Sequence, residues 1–160
     1  MNIVEVKKHI ANDGLAGIFE KIYSNNEAAK VRYSKACDEF SALYGDNYDI
    51  DLFSAPGRTE VGGNHTDHQL GCVLAGSVDL DVIAVVGKTE DMVIQVKSEG
   101  FAMDTIDITN LNPVEKETEH AASLIRGVCS RLADLGYKIG GFKAYTTSNV
   151  LKGSGLSSSA

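Results

Sequence analysis

The first part of the chain repeats apolar residues at the spacing of an α-helix. Between residues 3 and 23 the positions that follow this spacing are Val6, Ile10, Leu15, Ile18 and Ile22. The turn-forming run Asn12-Asp13-Gly14 interrupts the pattern, which predicts two short helices rather than one. Residues 24–26 (SNN) can cap a third, longer helix over about residues 27–43, and Gly45 predicts its end.

From residue 49 the pattern changes to the two-residue period of β-strands. Residues 49–54 (DIDLFS) alternate in this way and run into residues 55–58 (APGR), which predict a turn. Residues 72–74 and 79–86 are strand-like, and the order DVIAVV, GKTED, MVIQVKS predicts a β-hairpin. Residues 101–108 (FAMDTIDI) alternate again. This middle part is therefore predicted to be mostly β-structure.

A second helical pattern covers residues 117–135, and Gly136 predicts its end. The apolar positions that fall on one face of this helix are Ala121, Leu124, Ile125, Val128, Cys129, Leu132 and Leu135. Residues 141–147 (GFKAYTT) then predict a strand. The order of elements predicts an α+β fold in a single domain of residues 1–160, with residues 1–46 as a helical segment within it.

Composition and charge limit the function without identifying it. A chain of 160 residues that is 43% hydrophobic can form one domain with a sizeable core. The net charge of −7 argues against a nucleic-acid surface, which needs clustered lysine and arginine. No apolar run approaches the roughly 18 residues of a membrane span, and the first residues lack the apolar core of a signal peptide. Cys37, Cys72 and Cys129 form no C-x-x-C pair, which favours reduced, buried thiols and a cytoplasmic protein.

The final residues, LKGSGLSSSA, combine glycines and serines directly after a predicted strand. Glycine permits close approach of the backbone, and serine is a good helix N-cap. A strand, a glycine loop and a helix N-terminus together can bind an anion, and phosphate is the usual one. A serine hydroxyl can also contact Mg²⁺. The spacing of a Walker A motif is absent, and a flexible glycine-serine linker is the alternative interpretation.

The stretch GGNHTDHQLG, residues 62–71, allows three interpretations. His65, Asp67 and His68 are metal-ligand types, although no paired cysteine lies nearby. The polar side chains can also satisfy the backbone of their own turn. A carbohydrate site is the third, because these side chains donate to and accept from several hydroxyls. Arg58, just upstream, adds a positive charge that can neutralise a transferring phosphoryl group.

Two motifs together resemble those of a known family. APGR, GGNHTDH and GCVL resemble the galactokinase signature of the GHMP kinase superfamily, and GSGLSSSA resembles that superfamily's phosphate-binding motif. The motifs occur in the family's order, and the resemblance covers roughly residues 39–160. It implies the α+β fold of a GHMP kinase N-terminal domain, similar to the second domain of ribosomal protein S5.

The resemblance also implies a reaction, in which the γ-phosphoryl group of ATP is transferred to the anomeric hydroxyl of galactose. Arg58 matches a transition-state stabiliser. His65, Thr66 and Asp67 match the sugar contacts, and Asn64 stands beside them. The positions that match the loop around the triphosphate of ATP are Gly153, Ser154, Gly155, Leu156, Ser157, Ser158 and Ser159. Ser159 also matches the serine associated with Mg²⁺.

Several positions depart from the family pattern. Glu60 stands where asparagine is usual, Asn64 where glutamate is usual, His68 where tyrosine is usual and Leu151 where proline is common. Asn64 is neutral and can donate as well as accept a hydrogen bond, so the identity of the sugar stays open. Glu60 would repel a phosphoryl group unless it is turned away or paired, for example with a lysine or Arg58.

The family's catalytic aspartate, its acidic Mg²⁺ ligand and a third glycine-rich motif lie downstream of the phosphate loop. We therefore expect a truncated N-terminal domain without the C-terminal domain, and no kinase activity from this piece alone. The alternatives are a non-catalytic sensor of sugar and nucleotide, or a GHMP kinase for another sugar such as an amino sugar. A truncated domain would expose apolar surface and a strand edge, which predicts self-association.

Overall fold

The computed structural model describes residues 1–63 and 70–150 and has an α+β fold. The helices are α1 (Ile3–Ala11), α2 (Ala16–Ile22), α3 (Asn26–Tyr44) and α4 (Ala121–Asp134), with a 3₁₀ turn (Glu115–Glu117) before α4. The strands are β1 (Ile50–Gly62), β2 (Leu74–Lys88), β3 (Val93–Ser98), β4 (Met103–Asp107) and β5 (Phe142–Ser148). The predicted fold class is confirmed.

The three N-terminal helices form where the sequence places caps and breaks. The Asn2 side chain accepts a hydrogen bond from the Val4 N–H, and the Asn25 side chain accepts one from the Ala28 N–H, both at 3.0 Å. These bonds satisfy backbone donors that the first turn of a helix leaves free. Gly45 ends α3 with a φ of 85°, a conformation that favours glycine. The prediction of two short helices and one long helix is confirmed.

The strands form one sheet in the order β1-β2-β5-β3-β4. β5 pairs antiparallel with β2 and parallel with β3, while β1–β2 and β3–β4 are antiparallel pairs. β5 therefore occupies the middle of the sheet although it comes last among the strands. β1 and β4 are the edge strands.

Two hydrophobic clusters lie on opposite faces of this sheet. The first joins α1, α2 and α3 to β1, β2 and β5 and includes Phe40, Ile83 and Tyr145. The second joins α4 to β3 and β4, and Phe142 packs against it. Tyr145 and Phe142 are three residues apart on one strand, so their side chains point to opposite faces. The sheet thus carries α1–α3 on one side and α4 on the other.

The turn predicted over residues 55–58 is wrong, because β1 continues through them as strand to Gly62. β1 is an edge strand, so the missing N–H of Pro56 is tolerated, and the register shifts between Pro56 and Arg58. Gly57 is needed for close approach: a Cβ there would lie 3.2 Å from the Leu80 carbonyl oxygen and 3.3 Å from Val150 Cγ2.

The hairpin predicted between residues 79–86 and 92–98 is also wrong. β5 lies between β2 and β3 in the sheet, so these two strands do not pair. The connecting residues bond to the start of β5 instead: Thr89 N–H donates to the Gly141 carbonyl at 3.1 Å, and Gly141 N–H donates to the Asp91 carbonyl at 3.0 Å. A Cβ on Gly141 would lie 2.4 Å from the Asp91 oxygen, so the insertion of β5 requires glycine.

α4 begins at Ala121, four residues later than predicted, and its predicted apolar face is only partly buried. Cys129 is buried against the second cluster and Ile125 packs against it, whereas Leu124, Val128 and Leu135 are 62%, 60% and 54% exposed. α4 covers the β3–β4 half of its sheet face. The expectation of buried cysteines holds for Cys37 and Cys129, but Cys72 is exposed.

We predict that Phe40→Ala lowers the free energy of unfolding by about 3–5 kcal/mol, measured by urea denaturation. The Phe40 side chain is fully buried, and its ring lies 5.0 Å from Tyr44 and 5.7 Å from Tyr48 between ring centroids. Val31→Ala on the same helix is the control, because Val31 is 67% exposed and its loss should change the free energy by less than about 0.5 kcal/mol. Equal effects of the two substitutions would contradict the placement of this core.

Candidate functional site

The structure describes one of the predicted site residues, Arg58. The predicted sugar contacts Asn64, His65, Thr66 and Asp67 lie outside the described residues, as does His68. The predicted phosphate loop also lies outside them: Leu151, Gly153, Ser154, Gly155, Leu156, Ser157, Ser158 and Ser159. The geometry of the site is therefore given by Arg58 and by the strand ends that flank these two segments.

The strands that precede the two segments, β1 and β5, end on the same side of the sheet. β1 and β5 each run antiparallel to β2, so their C-terminal ends point in the same direction. In the sequence, the first segment connects β1 to β2, whose ends pair at Gly62 and Leu74. The second follows β5, and Val150 reaches the side of β1 next to Gly57. Arg58 therefore lies one residue from the point where β1 meets the chain that enters residues 151–160.

Arg58 has a carboxylate neighbour on the same strand. Arg58 Nη2 lies 3.4 Å from Glu60 Oε1, and the Arg58 side chain is 54% exposed, against 20% for Glu60. The second oxygen, Glu60 Oε2, is buried and has no hydrogen-bond partner among residues 1–63 and 70–150. Within the part of the chain that the structure describes, Glu60 thus pairs with Arg58 and with no lysine. A long, half-exposed pair of this kind contributes at most about 1 kcal/mol, so the guanidinium can leave it for another anion.

The sequence did not predict a buried polar cluster that is centred on the carboxylate of Asp81 on β2. Asp81 is 1% exposed, and its carboxylate accepts hydrogen bonds from Tyr23 Oη and Ser54 Oγ, both at 2.5 Å, and from Arg32 Nη1. The donors come from the end of α2, from β1 and from α3. The signal in the sequence is the alternation along β2, which places Asp81 on the same face as Ile83, a core residue. An unpaired charge at such a position would be costly.

The same residue holds the C-terminal end of β5. The Asp81 N–H donates to Asn149 Oδ1 at 2.6 Å, and the Asn149 N–H donates to the Asp81 carbonyl at 3.1 Å. Arg32 Nη2 donates to the carbonyls of Asp81 at 2.8 Å and Thr147 at 3.2 Å. The position of the chain just before residues 151–160 therefore depends on Asp81 and Arg32.

Burial raises the pKa of Tyr23 far above its usual value, and the hydrogen bond that it donates to Asp81 raises the pKa further. The Tyr33 hydroxyl lies 2.9 Å from that of Tyr23 and donates to it, because Tyr23 uses its own hydrogen for Asp81. The pKa of Tyr33 is also raised, mainly by burial. The cluster therefore keeps both hydroxyls protonated as hydrogen-bond donors.

Within residues 1–63 and 70–150, no group of three or more histidine, cysteine, aspartate or glutamate side chains is arranged to hold a metal ion. In the same ranges, no helix has the length and apolar character needed to cross a membrane. The predicted Mg²⁺ contact, Ser159, lies outside these residues.

Comparison with known proteins places a family signature over this part of the chain. Residues 38–88 match the galactokinase galactose-binding signature. The galactokinase of Lactococcus lactis subsp. lactis (strain IL1403) is 30% identical over 129 residues, which are 79% of this chain and 32% of that protein. The chain thus spans about a third of the length of the relatives it matches.

The fold matches solved structures of kinases. The crystal structure of Lactococcus lactis galactokinase complexed with galactose has a TM-score of 0.70 and 26% identity, over 81% of this chain and 34% of that chain. Methanococcus jannaschii mevalonate kinase has a TM-score of 0.53 at 14% identity, over 68% of this chain and 35% of that chain, which shows the fold alone. The resemblance found in the sequence is confirmed.

We predict that Tyr23 stays protonated in the folded chain at pH values above about 10, where an ordinary tyrosine ionises, because burial and its hydrogen bond to Asp81 raise its pKa. Because its pKa is raised, protonated Tyr23 contributes fully to the free energy of unfolding below about pH 10, and this contribution is lost as the pH rises above that value. Ultraviolet titration of the native chain and of Tyr23→Phe should therefore give the same absorbance change through the ionisation step of ordinary tyrosines near pH 10. Tyr137→Phe, at an exposed tyrosine, gives the absorbance of one residue for reference. A missing ionisation step near pH 10 in Tyr23→Phe would contradict the buried cluster.

Proposed function

Because this is a galactokinase-like chain of the GHMP kinase superfamily, we propose that it supplies the sugar-binding and phosphate-binding parts of an ATP-dependent kinase. The proposed reaction transfers the γ-phosphoryl group of ATP to the anomeric hydroxyl of galactose. The observation that carries the proposal is the galactose-binding signature over residues 38–88, together with the approach of Val150 to β1 beside Arg58. We also propose that residues 1–160 form the N-terminal domain of such a kinase, with residues 1–46 as its helical segment.

Each proposed role follows from the chemistry of its residue. Asn64, His65, Thr66 and Asp67 would contact the hydroxyls of the sugar, since together they offer both donors and acceptors. The backbone N–H groups and hydroxyls of residues 153–159 would bind the triphosphate of ATP. The two glycines of this segment allow the backbone to come close to the phosphates.

Arg58 is the proposed stabiliser of the transferring phosphoryl group. Phosphoryl transfer gains most from fixed positive charge around the equatorial oxygens, and the half-exposed guanidinium is available for that contact. Glu60 holds Arg58 only weakly when no phosphate is present. On this proposal, Arg58 exchanges the carboxylate of Glu60 for a phosphoryl oxygen as the substrates bind.

Mg²⁺ would neutralise charge on the phosphates of ATP, and we assign its protein contact to Ser159. Glu60, the carboxylate in contact with Arg58, pairs with that cation and is not assigned the role of general base. We also propose that the 160-residue chain binds substrates but does not turn them over, because none of its described residues is assigned as the general base that accepts the hydroxyl proton. We propose the cytoplasm as its setting.

We further propose that the chain self-associates through an open apolar surface. This surface consists of Phe53 and Val82 on the sheet face that carries α4, and of Leu124, Val128 and Leu135 on α4. A groove of about 860 Å³ beside Phe53 has both apolar and charged lining residues, among them Phe142, Ile139, Lys88 and Glu90. Exposed apolar area of this kind favours association, whereas the net charge of −7 opposes it.

Calorimetric titration with galactose tests the sugar site. We predict binding by the native chain and at least a tenfold loss of affinity, about 1.4 kcal/mol, in Asp67→Ala, because a charged acceptor for sugar hydroxyls is removed. Asp134→Ala, at an exposed carboxylate on α4, is the matched control and should bind galactose as the native chain does. A coupled assay of ADP release should give no turnover. Equal affinity in the two variants, or kinase turnover by the isolated chain, would refute the corresponding part of the proposal.

Sedimentation velocity tests the open apolar surface. We predict that the native chain associates at high concentration, more strongly as salt screens its negative charge. Leu124→Glu combined with Val128→Glu should give a monomer, because it places two charges in the apolar surface. Val31→Glu, on the other side of the sheet, is the control and should leave association unchanged. A native chain that stays monomeric at millimolar concentration would exclude self-association.

A further inference from the structure

The end of β5 is held by bonds outside the regular strand ladder. Asn149 follows the last strand residue, and its side chain and backbone both bond to Asp81, at 2.6 and 3.1 Å. Arg32 adds a second attachment, since it donates to the carbonyl of Thr147 as well as to Asp81. These bonds fix the direction of the chain where it leaves the sheet.

The Asp81 carboxylate connects this strand end to β1. Ser54, on β1, donates to the carboxylate, and Arg58 lies four residues further along the same strand. The cluster is therefore attached both to the strand that carries Arg58 and to the chain that enters residues 151–160. Val150, the residue after Asn149, lies next to β1 at Gly57, the neighbour of Arg58.

A second buried ion pair, Arg126–Glu117, joins elements far from Arg58 and serves as a comparison for the Asp81–Arg32 pair. Arg126 of α4 donates to both oxygens of Glu117 at 2.7 and 2.6 Å and to the carbonyl of Asp107 at 2.7 Å. This pair joins α4 to the 3₁₀ turn and to the end of β4, at the opposite edge of the sheet from β1. It is comparable to the Asp81–Arg32 pair in burial and chemistry, but it is remote from the proposed site.

We propose that Asp81 is a positioning residue for the proposed phosphate-transfer site. It holds the Thr147–Asn149 end of β5 against α3 and β1, and so fixes the direction in which the chain leaves β5 relative to the strand that carries Arg58. The inference rests on the proposed function for the role of residues 153–159, while the anchoring of β5 rests on the described contacts alone.

The test compares three variants of the chain by hydrogen–deuterium exchange and by calorimetry with Mg-ATP and with galactose. Asp81→Asn removes the charge, and Asn149→Ala removes one bond at a half-buried position, which protects the test if Asp81→Asn fails to fold. Glu117→Gln weakens the remote ion pair and is the matched control. We expect exchange of the Asn149 and Val150 amides to become about tenfold faster in the first two variants and to stay unchanged in the third.

We also expect Asp81→Asn and Asn149→Ala to lower Mg-ATP affinity at least about tenfold while galactose affinity changes less than about twofold. Glu117→Gln should leave both affinities unchanged, and thermal unfolding of all three variants, measured alongside, separates positioning from general destabilisation. Unchanged exchange at residues 149–150, or faster exchange with unchanged Mg-ATP affinity, overturns the proposal. A native chain that does not bind Mg-ATP contradicts the nucleotide part of the proposed function, and faster exchange in that case still supports the anchoring of β5.

Discussion

The buried charge of Asp81 constrains much of this structure. Moving a carboxylate out of water costs several kcal/mol unless charged and polar donors replace the lost hydration. Here α3 supplies a guanidinium, while the end of α2 and β1 supply one hydroxyl each. The helices must therefore sit over the sheet in one register, and removal of any single donor leaves part of the charge unsatisfied.

Asp81 also orders the end of β5 next to the proposed site, through its backbone groups. The N–H and the carbonyl of Asp81 both bond to Asn149, so the residue that orders the helices also orders the end of the central strand. Arg58, Gly62 and Val150 lie at this end of the sheet, and the last two stand just before the segments of proposed chemistry in the chain. In contrast, the weak contact between Arg58 and Glu60 leaves the guanidinium able to change partners. A rigid frame thus carries a guanidinium that its weak ion pair leaves able to contact another anion.

The sequence predicts local features well and distant ones poorly. The caps at Asn2 and Asn25 and the glycine at position 45 act within a few residues, so the N-terminal helices are predictable. The pairing of β2 is not, because its partner β5 arrives more than fifty residues later and displaces the expected hairpin. In the sequence Asp81 is one polar position in a strand, and nothing local indicates that Arg32 lies beside it. The motif residues identify the family, whereas side-chain chemistry alone leaves metal, turn and sugar as alternatives.

A crystal structure of the chain grown with galactose tests the central claim, that this is a galactokinase-type sugar site, most directly. We predict one galactose between the ends of β1 and β2, with hydroxyls in hydrogen-bond contact with His65 and Asp67. Galactose bound at another surface, or a site at these residues occupied by a metal ion with the sugar absent, would contradict it.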